Sequence, residues 1–362
     1  MDLGILTLPL TMAALAFGFA VITDTQAVHV DRINIPTEIA STAGYTPDVV
    51  RNRLVDEMHE IEKQADSTAQ ARGIQLQGEK GPLVVLADYL KVTPLIRVAQ
   101  ETVGLIPYSF SGEVVAYGKD LEFVLRGTDA SKNQTYIQVR APKEQIKQLI
   151  HNTAYEAIRA IDPYLLAAYQ FKKDFVTRDF TSTIEIIHRE LAKPDSEVSK
   201  WMYNLWGIVL YQQADRAGAI EKFQAALARD PNFAAPLLNW GVVLAREGNN
   251  EEAIEKFQKL VTNPKIEASK VAIAGAYSEW GFSLALLGHY DDAFAKFDLA
   301  IKADPTFADA YSSWAEVLSA LGRTDDAAKM TARSLKIRND VIYTENLIGP
   351  VQRLPATASV IN

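Results

Sequence analysis

Two consecutive stretches of 34 residues decide the fold of this chain: WMYNLWGIVLYQQADRAGAIEKFQAALARDPNFA at 201–234 and APLLNWGVVLAREGNNEEAIEKFQKLVTNPKIEA at 235–268. Aligned without a gap, they share a Trp-Gly pair in the first half and the run AIEKFQ in the second. Self-similarity at a fixed period of a few tens of residues is the sequence signature of stacked repeats. The pattern therefore predicts pairs of helices that stack on one another.

Two further copies follow in the chain. Gly281 takes the place of Gly241 after 40 residues, so six extra residues fall near 263–270, at a turn between repeats where a longer loop is tolerated. The fourth copy comes 34 residues later, and a degenerate copy covers roughly 164–192. Small, aromatic and helix-ending residues hold fixed places in the copies: Gly207, Gly241, Gly281, Ala219, Ala253, Ala293, Ala327, Phe223, Phe257, Phe297, Pro231 and Pro305.

This template resembles the tetratricopeptide repeat, a helix pair with aromatic, Leu, Gly and Tyr-like positions followed by Ala, aromatic, Ala and a terminal Pro. The resemblance is strong over 200–339 and weaker over the degenerate copy. It implies an all-α solenoid in which the glycines let paired helices approach and the alanines receive that contact. Proteins of this family bind other polypeptides, so the resemblance implies a protein partner.

The residues before the repeats predict a small α+β domain over 28–162. A short strand at 30–35 precedes a helix that begins at Pro47. Strands at 110–117, 121–126 and 135–140 are separated by turn-forming segments of hairpin length and predict an antiparallel meander. Pro142 opens a second helix, whereas Ile74, Leu76 and 82–105 indicate another strand and a broken helical stretch.

Four short segments of this domain carry a second resemblance: Ile35-Pro36, Gly44-Tyr45-Thr46, Ser111-Gly112-Glu113-Val114 and Asp162-Pro163-Tyr164. They resemble the N-terminal segment of a poorly characterised group of bacterial membrane-anchored proteins with tetratricopeptide repeats. The likeness implies the order anchor, α+β domain, repeats. It implies no reaction.

The first 27 residues are predicted to anchor the chain in a membrane. Leu3–Ile22 carries no charge and is long enough for a helix of about 30 Å to cross the hydrocarbon core. No basic residue precedes it, unlike in a signal peptide. A signal peptide cleaved after Ala27 and a buried soluble helix are the alternatives. We expect a single-pass protein of the bacterial inner membrane whose bulk lies in the periplasm.

Composition and motifs argue against several functional classes. The chain of 362 residues has 37 basic and 45 acidic side chains and a net charge of −8, so it lacks the positive surface that nucleic acids need. Without cysteine it has no disulfide and no thiolate metal site. The five histidines form no helical metal-binding pair, and no phosphate loop or serine elbow occurs. We expect no enzyme, no cofactor and no metal.

The template predicts which side chains line a groove on the side formed by the first helices. Its apolar, aromatic floor suits an amphipathic helix or an extended hydrophobic segment. Family members that clamp a C-terminal carboxylate use paired lysines and asparagines there, whereas this groove has only Arg246. The predicted partner-binding residues are Trp201, Asn204, Ile208, Tyr211, Leu238, Val242, Arg246, Phe282, Leu286 and Glu316.

The repeats are expected to span 163–339 and to be followed by a tail, 340–362, that is too apolar for a free linker. The tail is expected to cover the last repeat or groove, or to bind another protein. The whole predicts a membrane-anchored interaction scaffold or assembly subunit. A soluble periplasmic chaperone or secretion adaptor, and an enzyme with a site in the α+β domain, are the alternatives. Self-association is possible through the meander edge or the anchor.

Overall fold

The structure is a computed structural model that describes residues 28–65, 108–129, 132–194, 196 and 198–342. The chain divides near Leu166 into two compact units. Strands occur in the first unit, and the second is helical, as the sequence predicts.

The N-terminal unit contains a four-stranded sheet in the order β1-β2-β3-β4. β1 runs parallel to β2, whereas β2, β3 and β4 form the predicted antiparallel meander. Gly118, in the two-residue turn between β2 and β3, has φ of 60°, a left-handed value typical of hairpin turns. The elements in chain order are β1 (Val28–Asn34), α1 (Thr37–Ala43), α2 (Pro47–Ala65), β2 (Tyr108–Tyr117), β3 (Asp120–Asp129), β4 (Gln134–Pro142) and α3 (Ile146–Ile161).

The two long helices of this unit have the predicted apolar stripes. In α2 the four side chains spaced at three and four residues are at most 1% exposed: Val50, Leu54, Met58 and Ile61. Helix α3 packs on β3 and β4 through a buried face that includes Leu149, Ala154 and Ile158. The prediction that Pro142 opens this helix is wrong: Pro142 ends β4, and a 3₁₀ turn at Lys143–Gln145 comes first.

The helical unit is entered through α4 and consists of consecutive helix pairs. Within it, Asp174 of α4 accepts hydrogen bonds from the backbone N–H and hydroxyl of Thr183 in α5, which ties the degenerate pair together. The helices are α4 (Pro163–Thr177), α5 (Thr181–Leu191), α6 (Ser199–Gln212), α7 (Arg216–Arg229), α8 (Ala234–Arg246), α9 (Asn250–Thr262), α10 (Lys270–Leu286), α11 (Tyr290–Ala303), α12 (Ala308–Ala320) and α13 (Thr324–Ile342).

Left-handed residues make the tight turns within the four regular pairs. Gly248, Gly288 and Gly322 follow the first helix of their pairs with φ of 83°, 83° and 73°. Ala214 holds the equivalent place in the first pair with φ of 64°. Since Ala has a Cβ, this conformation costs it more than it costs Gly. All four pairs therefore make the same turn, and in the first pair the left-handed alanine makes the turn less stable than a glycine would.

The six extra residues of the third repeat are shared between a loop and a helix. The connection from α9 to α10 is 263–269, longer than the connections before α8 and α12. Helix α10 has 17 residues, whereas α8 and α12 have 13. Ser269 caps it, because its hydroxyl oxygen accepts a hydrogen bond of 3.2 Å from the Ala272 backbone N–H. The insertion therefore lengthens the first helix as well as the turn.

Several predictions fall outside the described residues. These are the anchor at 1–27, the strand and broken helix between 74 and 105, and the tail beyond Ile342. The first part of the expected tail, up to Ile342, is the end of α13. Among the residues that the structure describes, no helix combines the length and apolar character needed to span a bilayer.

Candidate protein-binding face

The first helices of successive repeats contact one another, α6 with α8, α8 with α10 and α10 with α12. Each second helix of the four regular repeats packs against its own first helix, and α7, α9 and α11 also pack against the first helix of the next repeat. The first helices therefore lie side by side. Their outer surface, which we call the first-helix face, is one continuous surface built from several repeats.

A glycine and a phenylalanine make the close contact inside each of the first three repeats. A Cβ added to Gly241 would lie 2.5 Å from Cε1 of Phe257, and the same holds for Gly207 against Phe223. Contacts this short are repulsive, so only glycine lets the ring reach the facing helix. Phe223, Phe257 and Phe297 are fully buried. This packing sets the position of each first helix and so the shape of the face.

Four of the predicted groove residues are buried within the stack. Asn204 is 0% exposed, and its Oδ1 accepts a hydrogen bond of 3.0 Å from Nδ2 of Asn239 in the next repeat. Ile208, Leu238 and Val242 belong to the apolar core that joins the first two repeats. Burial of these residues stabilises the stack and leaves little of their surface for a partner.

The other six predicted residues retain accessible surface. Trp201, Tyr211, Arg246 and Phe282 are half-buried, and Leu286 and Glu316 are exposed. The Trp201 ring meets Phe233 edge to face, with a centroid distance of 4.3 Å. Leu286, the last residue of α10, is 39% exposed and offers apolar surface. Four of these six accessible residues lie in the last three repeats, and Trp201 and Tyr211 lie in the first.

A charged cluster crosses three repeats on this face. Nη2 of Arg246 in α8 lies 3.5 Å from Oε2 of Glu279 in α10, and both side chains are about 15% exposed. The Arg246 guanidinium also lies 6.0 Å from the centre of the Phe282 ring. Partial burial raises the pKa of Glu316 in α12, an effect that Arg246 opposes and Glu279 reinforces. With one cation and two carboxylates, the cluster carries excess negative charge.

Part of this cluster escaped the sequence analysis. Glu279 falls two residues before the template glycine, where the other repeats carry Leu205, Asn239 and Ser313. The sequence signal that could have identified Glu279 was its charge, because the same position is uncharged in the other repeats. The Nε of Arg246 is buried and has no hydrogen-bond partner within the described ranges. An unsatisfied buried donor of this kind lowers stability.

A second regularity, also missed, pairs tryptophan with lysine. The ammonium groups of Lys222, Lys256 and Lys296 lie 4.3, 4.6 and 3.8 Å from the ring centres of Trp206, Trp240 and Trp280. In the fourth repeat the lysine position is Met330. There Trp314 stacks on Phe294 and Phe297 of the preceding repeat instead. These contacts lie within and between repeats, so we assign them to stability.

No group of three or more His, Asp or Glu side chains suited to a metal ion occurs in the described part of the chain. The polar features described in the helical unit include ion pairs, helix caps and the buried amide pair. Chemically, the first-helix face offers apolar contact at Phe282 and Leu286 beside a charged cluster. This combination suits the recognition of a polypeptide.

Comparison with known structures gives weak overall likeness. The crystal structure of MamA has 20% identity to this chain and a TM-score of 0.37, over 47% of this chain and 95% of that one. The crystal structure of the APC/C hetero-tetramer Cut9-Hcn1 has 15% identity and a TM-score of 0.43, over 86% of this chain and 50% of that one.

Sequence comparison is more direct. No curated protein matches the chain. Residues 204–266 match the family described as tetratricopeptide repeat. This segment runs from α6 through α9 and contains both Gly-Phe contacts at Gly207 and Gly241. The chain therefore contains tetratricopeptide repeats.

Proposed function

We propose that the protein is an interaction scaffold or assembly subunit that binds a polypeptide on its first-helix face, rather than an enzyme. The observation that carries the proposal is the charged cluster of Arg246, Glu279 and Glu316. It crosses three repeats beside the accessible apolar side chains of Phe282 and Leu286. Successive first helices bring these groups together, so the site depends on the stack and not on a single repeat.

The chemistry of the face indicates the kind of partner. Phe282 and Leu286 favour an apolar side chain, and the excess carboxylate beside them favours a basic one. An amphipathic helix or an extended segment with apolar and basic side chains meets both requirements.

Co-purification with matched variants tests the proposal. The full-length tagged chain is extracted, crosslinked, and its companions are quantified by mass spectrometry. The double variant Leu286→Asp, Glu316→Lys changes the accessible apolar side chain and the sign of the nearby charge. We expect it to reduce recovery of a defined partner at least about tenfold, a loss of roughly 1.4 kcal/mol.

Val176→Asp is the matched control, because Val176 is 83% exposed and lies in α4, away from the four regular first helices. Recovery equal to that of the unmodified chain is expected for this variant. Equal recovery from all three chains would count against the first-helix face. Equal losses from both variants would point to a general effect of added charge.

A membrane location is part of the proposal and rests on the sequence of Leu3–Ile22. The uncharged stretch is long enough to cross a bilayer, and no basic residue marks it as a signal peptide. We propose a single span in the bacterial inner membrane with the bulk of the chain in the periplasm. Alkaline extraction of membranes is expected to leave the protein in the pellet.

Intact mass separates this proposal from a soluble periplasmic chaperone or secretion adaptor. A retained N-terminal segment agrees with an anchor, whereas loss of residues 1–27 agrees with a processed, soluble protein. Light scattering of the extracted protein measures self-association, the remaining partner that the sequence suggests. A monomeric mass would remove the homo-oligomer.

A further inference from the structure

The fourth repeat differs from the others at the position that fills its interior. Phe223, Phe257 and Phe297 occupy one template position and are 0% exposed. Thr331 of α13 occupies the same position and is exposed. Threonine is much smaller than phenylalanine, so the space between α12 and α13 is left open.

This space is a cavity of about 400 Å³ on the last repeat. It combines small and apolar side chains with a few polar ones. Leu335 is 55% exposed on it. Its lining is Ser312, Ala315, Glu316, Ser319, Ala327, Ala328, Thr331, Ser334, Leu335 and Arg338.

Polar contacts, rather than a buried aromatic ring, hold α12 and α13 together around the cavity. The hydroxyl oxygens of Ser312 in α12 and Ser334 in α13 are 2.7 Å apart. Arg338 donates a hydrogen bond of 2.7 Å to Oδ1 of Asp309. The helix pair is therefore fixed, and the cavity is part of its folded form.

In the earlier repeats the next repeat covers the same surface. Leu227, Val261 and Ile301 hold the template position of Leu335, and all three are half-buried. Ile301, for example, packs against Phe307 and Ala310 at the start of the fourth repeat. The surface around Leu335 thus has the form of a docking site for an apolar segment that follows in the chain.

We propose that residues 347–354 of this chain, LIGPVQRL, occupy the cavity of the fourth repeat. The first reason is connection: α13 forms one wall, ends at Ile342, and is followed by twenty more residues. Attachment to the wall itself gives this segment an effective concentration in the millimolar range for a short linker. A separate molecule has no such advantage.

The second reason is reach. Leu335 lies seven residues before the end of α13, about 10 Å along the helix axis. Residues 343–347 span up to roughly 17 Å when extended. Leu347 and Ile348 therefore reach back to the cavity with length to spare.

The third reason is chemistry. Leu347, Ile348, Val351 and Leu354 supply four apolar side chains, and Arg353 is the one charge in the segment. The cavity offers Ala315, Ala327, Ala328 and Leu335 as apolar contacts. The apolar lining therefore fits the apolar side chains of this segment.

A disulfide trap tests the proposal, because the natural chain has no cysteine. The full-length chain receives Thr331→Cys in the cavity and Asn346→Cys directly before Leu347, which leaves all four apolar side chains in place. Mild oxidation is expected to give an intramolecular disulfide, seen as a mass loss of two hydrogens in a monomeric chain and a crosslinked peptide after digestion.

The matched control moves the first cysteine to Lys329→Cys. Lys329 is 70% exposed and lies about 160° around α13 from Thr331. The cavity pair is expected to close at least tenfold faster than the control pair. Equal rates, or disulfide-linked dimers as the main product of the cavity pair, would overturn the proposal, and dimers would identify a second copy as the occupant.

A third variant tests whether the disulfide forms only because the cysteine introduced by Asn346→Cys is tethered close to the cavity. Leu347→Asp with Ile348→Asp, added to the cavity pair, removes the apolar side chains and keeps the linker length. We expect closure to slow at least tenfold, to the rate of the control. Unchanged closure would overturn the proposal. Circular dichroism confirms that each variant retains its helices.

Discussion

The three preceding repeats and the fourth follow one template but fill it differently. Where a phenylalanine is buried in the interior, the facing position is glycine, as in Gly207 with Phe223 and Gly281 with Phe297. In the fourth repeat Thr331 replaces the ring, and the facing residue is Ala315. The two positions therefore change together.

This difference shows what each contact contributes. A repeat with neighbours on both sides relies on ring packing, because the adjacent helices exclude water from it. The fourth repeat has a neighbour only before it in the described structure and relies on Ser312, Ser334 and the Arg338–Asp309 pair. Position in the array, rather than the template alone, decides which residues are needed.

The largest expected effect comes from giving an interior repeat the residue of the fourth one. Phe257→Thr leaves a cavity among fully buried neighbours and is expected to lower the free energy of unfolding by about 3–5 kcal/mol. Thr331→Ala changes an exposed side chain and is expected to cost less than about 0.5 kcal/mol. Urea titrations followed by helical circular dichroism measure both, and equal costs would break the comparison.

A smaller loss is expected from the facing glycine. Gly241→Ala places a Cβ 2.5 Å from the Phe257 ring. Overpacking is expected to cost about 1–3 kcal/mol, although alanine favours a helix. In the fourth repeat Ala315→Gly is expected to cost only about 1 kcal/mol, through helix propensity. A more stable Gly241→Ala protein would contradict the close contact.

At the turns within the helix pairs the first repeat, not the fourth, is the exception, because it has Ala214 where the others have glycine. Ala214→Gly relieves a left-handed alanine and is expected to raise the free energy of unfolding by about 1 kcal/mol. Gly322→Ala, at the equivalent turn of the fourth repeat, is expected to lower it by a similar amount. Thermal unfolding of the two variants compares them, and shifts of the same sign would be inconsistent with the shared turn.

The tryptophan–lysine contacts predict a smaller difference. Lys296→Met, which copies Met330 of the fourth repeat, removes the cation 3.8 Å from the Trp280 ring. The expected loss is about 0.5–1 kcal/mol in the free energy of unfolding. Lys302→Met on the same helix serves as the control, because Lys302 pairs with Asp298 at the surface. Equal losses would assign the effect to net charge.

The smallest effect is expected at Glu316 and depends on pH. Its pKa is raised in the folded state above an ordinary value of 4.5, so the folded chain holds the proton more tightly than the unfolded chain does. The stability contributed by Glu316 is present below that ordinary value and is lost as pH rises through the folded-state pKa. Glu316→Gln is expected to stabilise the protein near neutral pH by less than about 0.5 kcal/mol.

The same variant supplies its own control at low pH. At a pH low enough to protonate Glu316 in both the folded and the unfolded state, the natural protein and the Glu316→Gln variant are expected to have equal unfolding midpoints. A gain that persists there would have another cause.

Much of the repeat architecture was accessible from the sequence because it depends on residue size. The period and the close approach at the glycines follow from a template that recurs. The nearest contact of Gly207 and Gly241 is a phenylalanine ring rather than the predicted alanine. In the N-terminal unit, alternation and hairpin turns predicted β2, β3 and β4. The seven-residue α1 was missed, since so short a helix shows no apolar periodicity.

The candidate site was less accessible because accessibility depends on how adjacent first helices are rotated. The template placed Asn204, Ile208, Leu238 and Val242 on the first helices, but it held no information on which of them meet the neighbouring first helix. The structure shows that they do. Glu279 was missed for the same reason, since its partner Arg246 is a long-range neighbour in another repeat.

The amide contact between Asn204 and Asn239 has a consequence for the order of the repeats. At the next two junctions the corresponding pairs of positions carry Leu238 with Glu279 and Ser278 with Ser313. Exchanging whole repeats would place a leucine opposite the buried Asn239 side chain, which would leave its amide without this hydrogen bond. Although the repeats share one pattern, they are not interchangeable, because the contacts at each junction require particular neighbours along the chain.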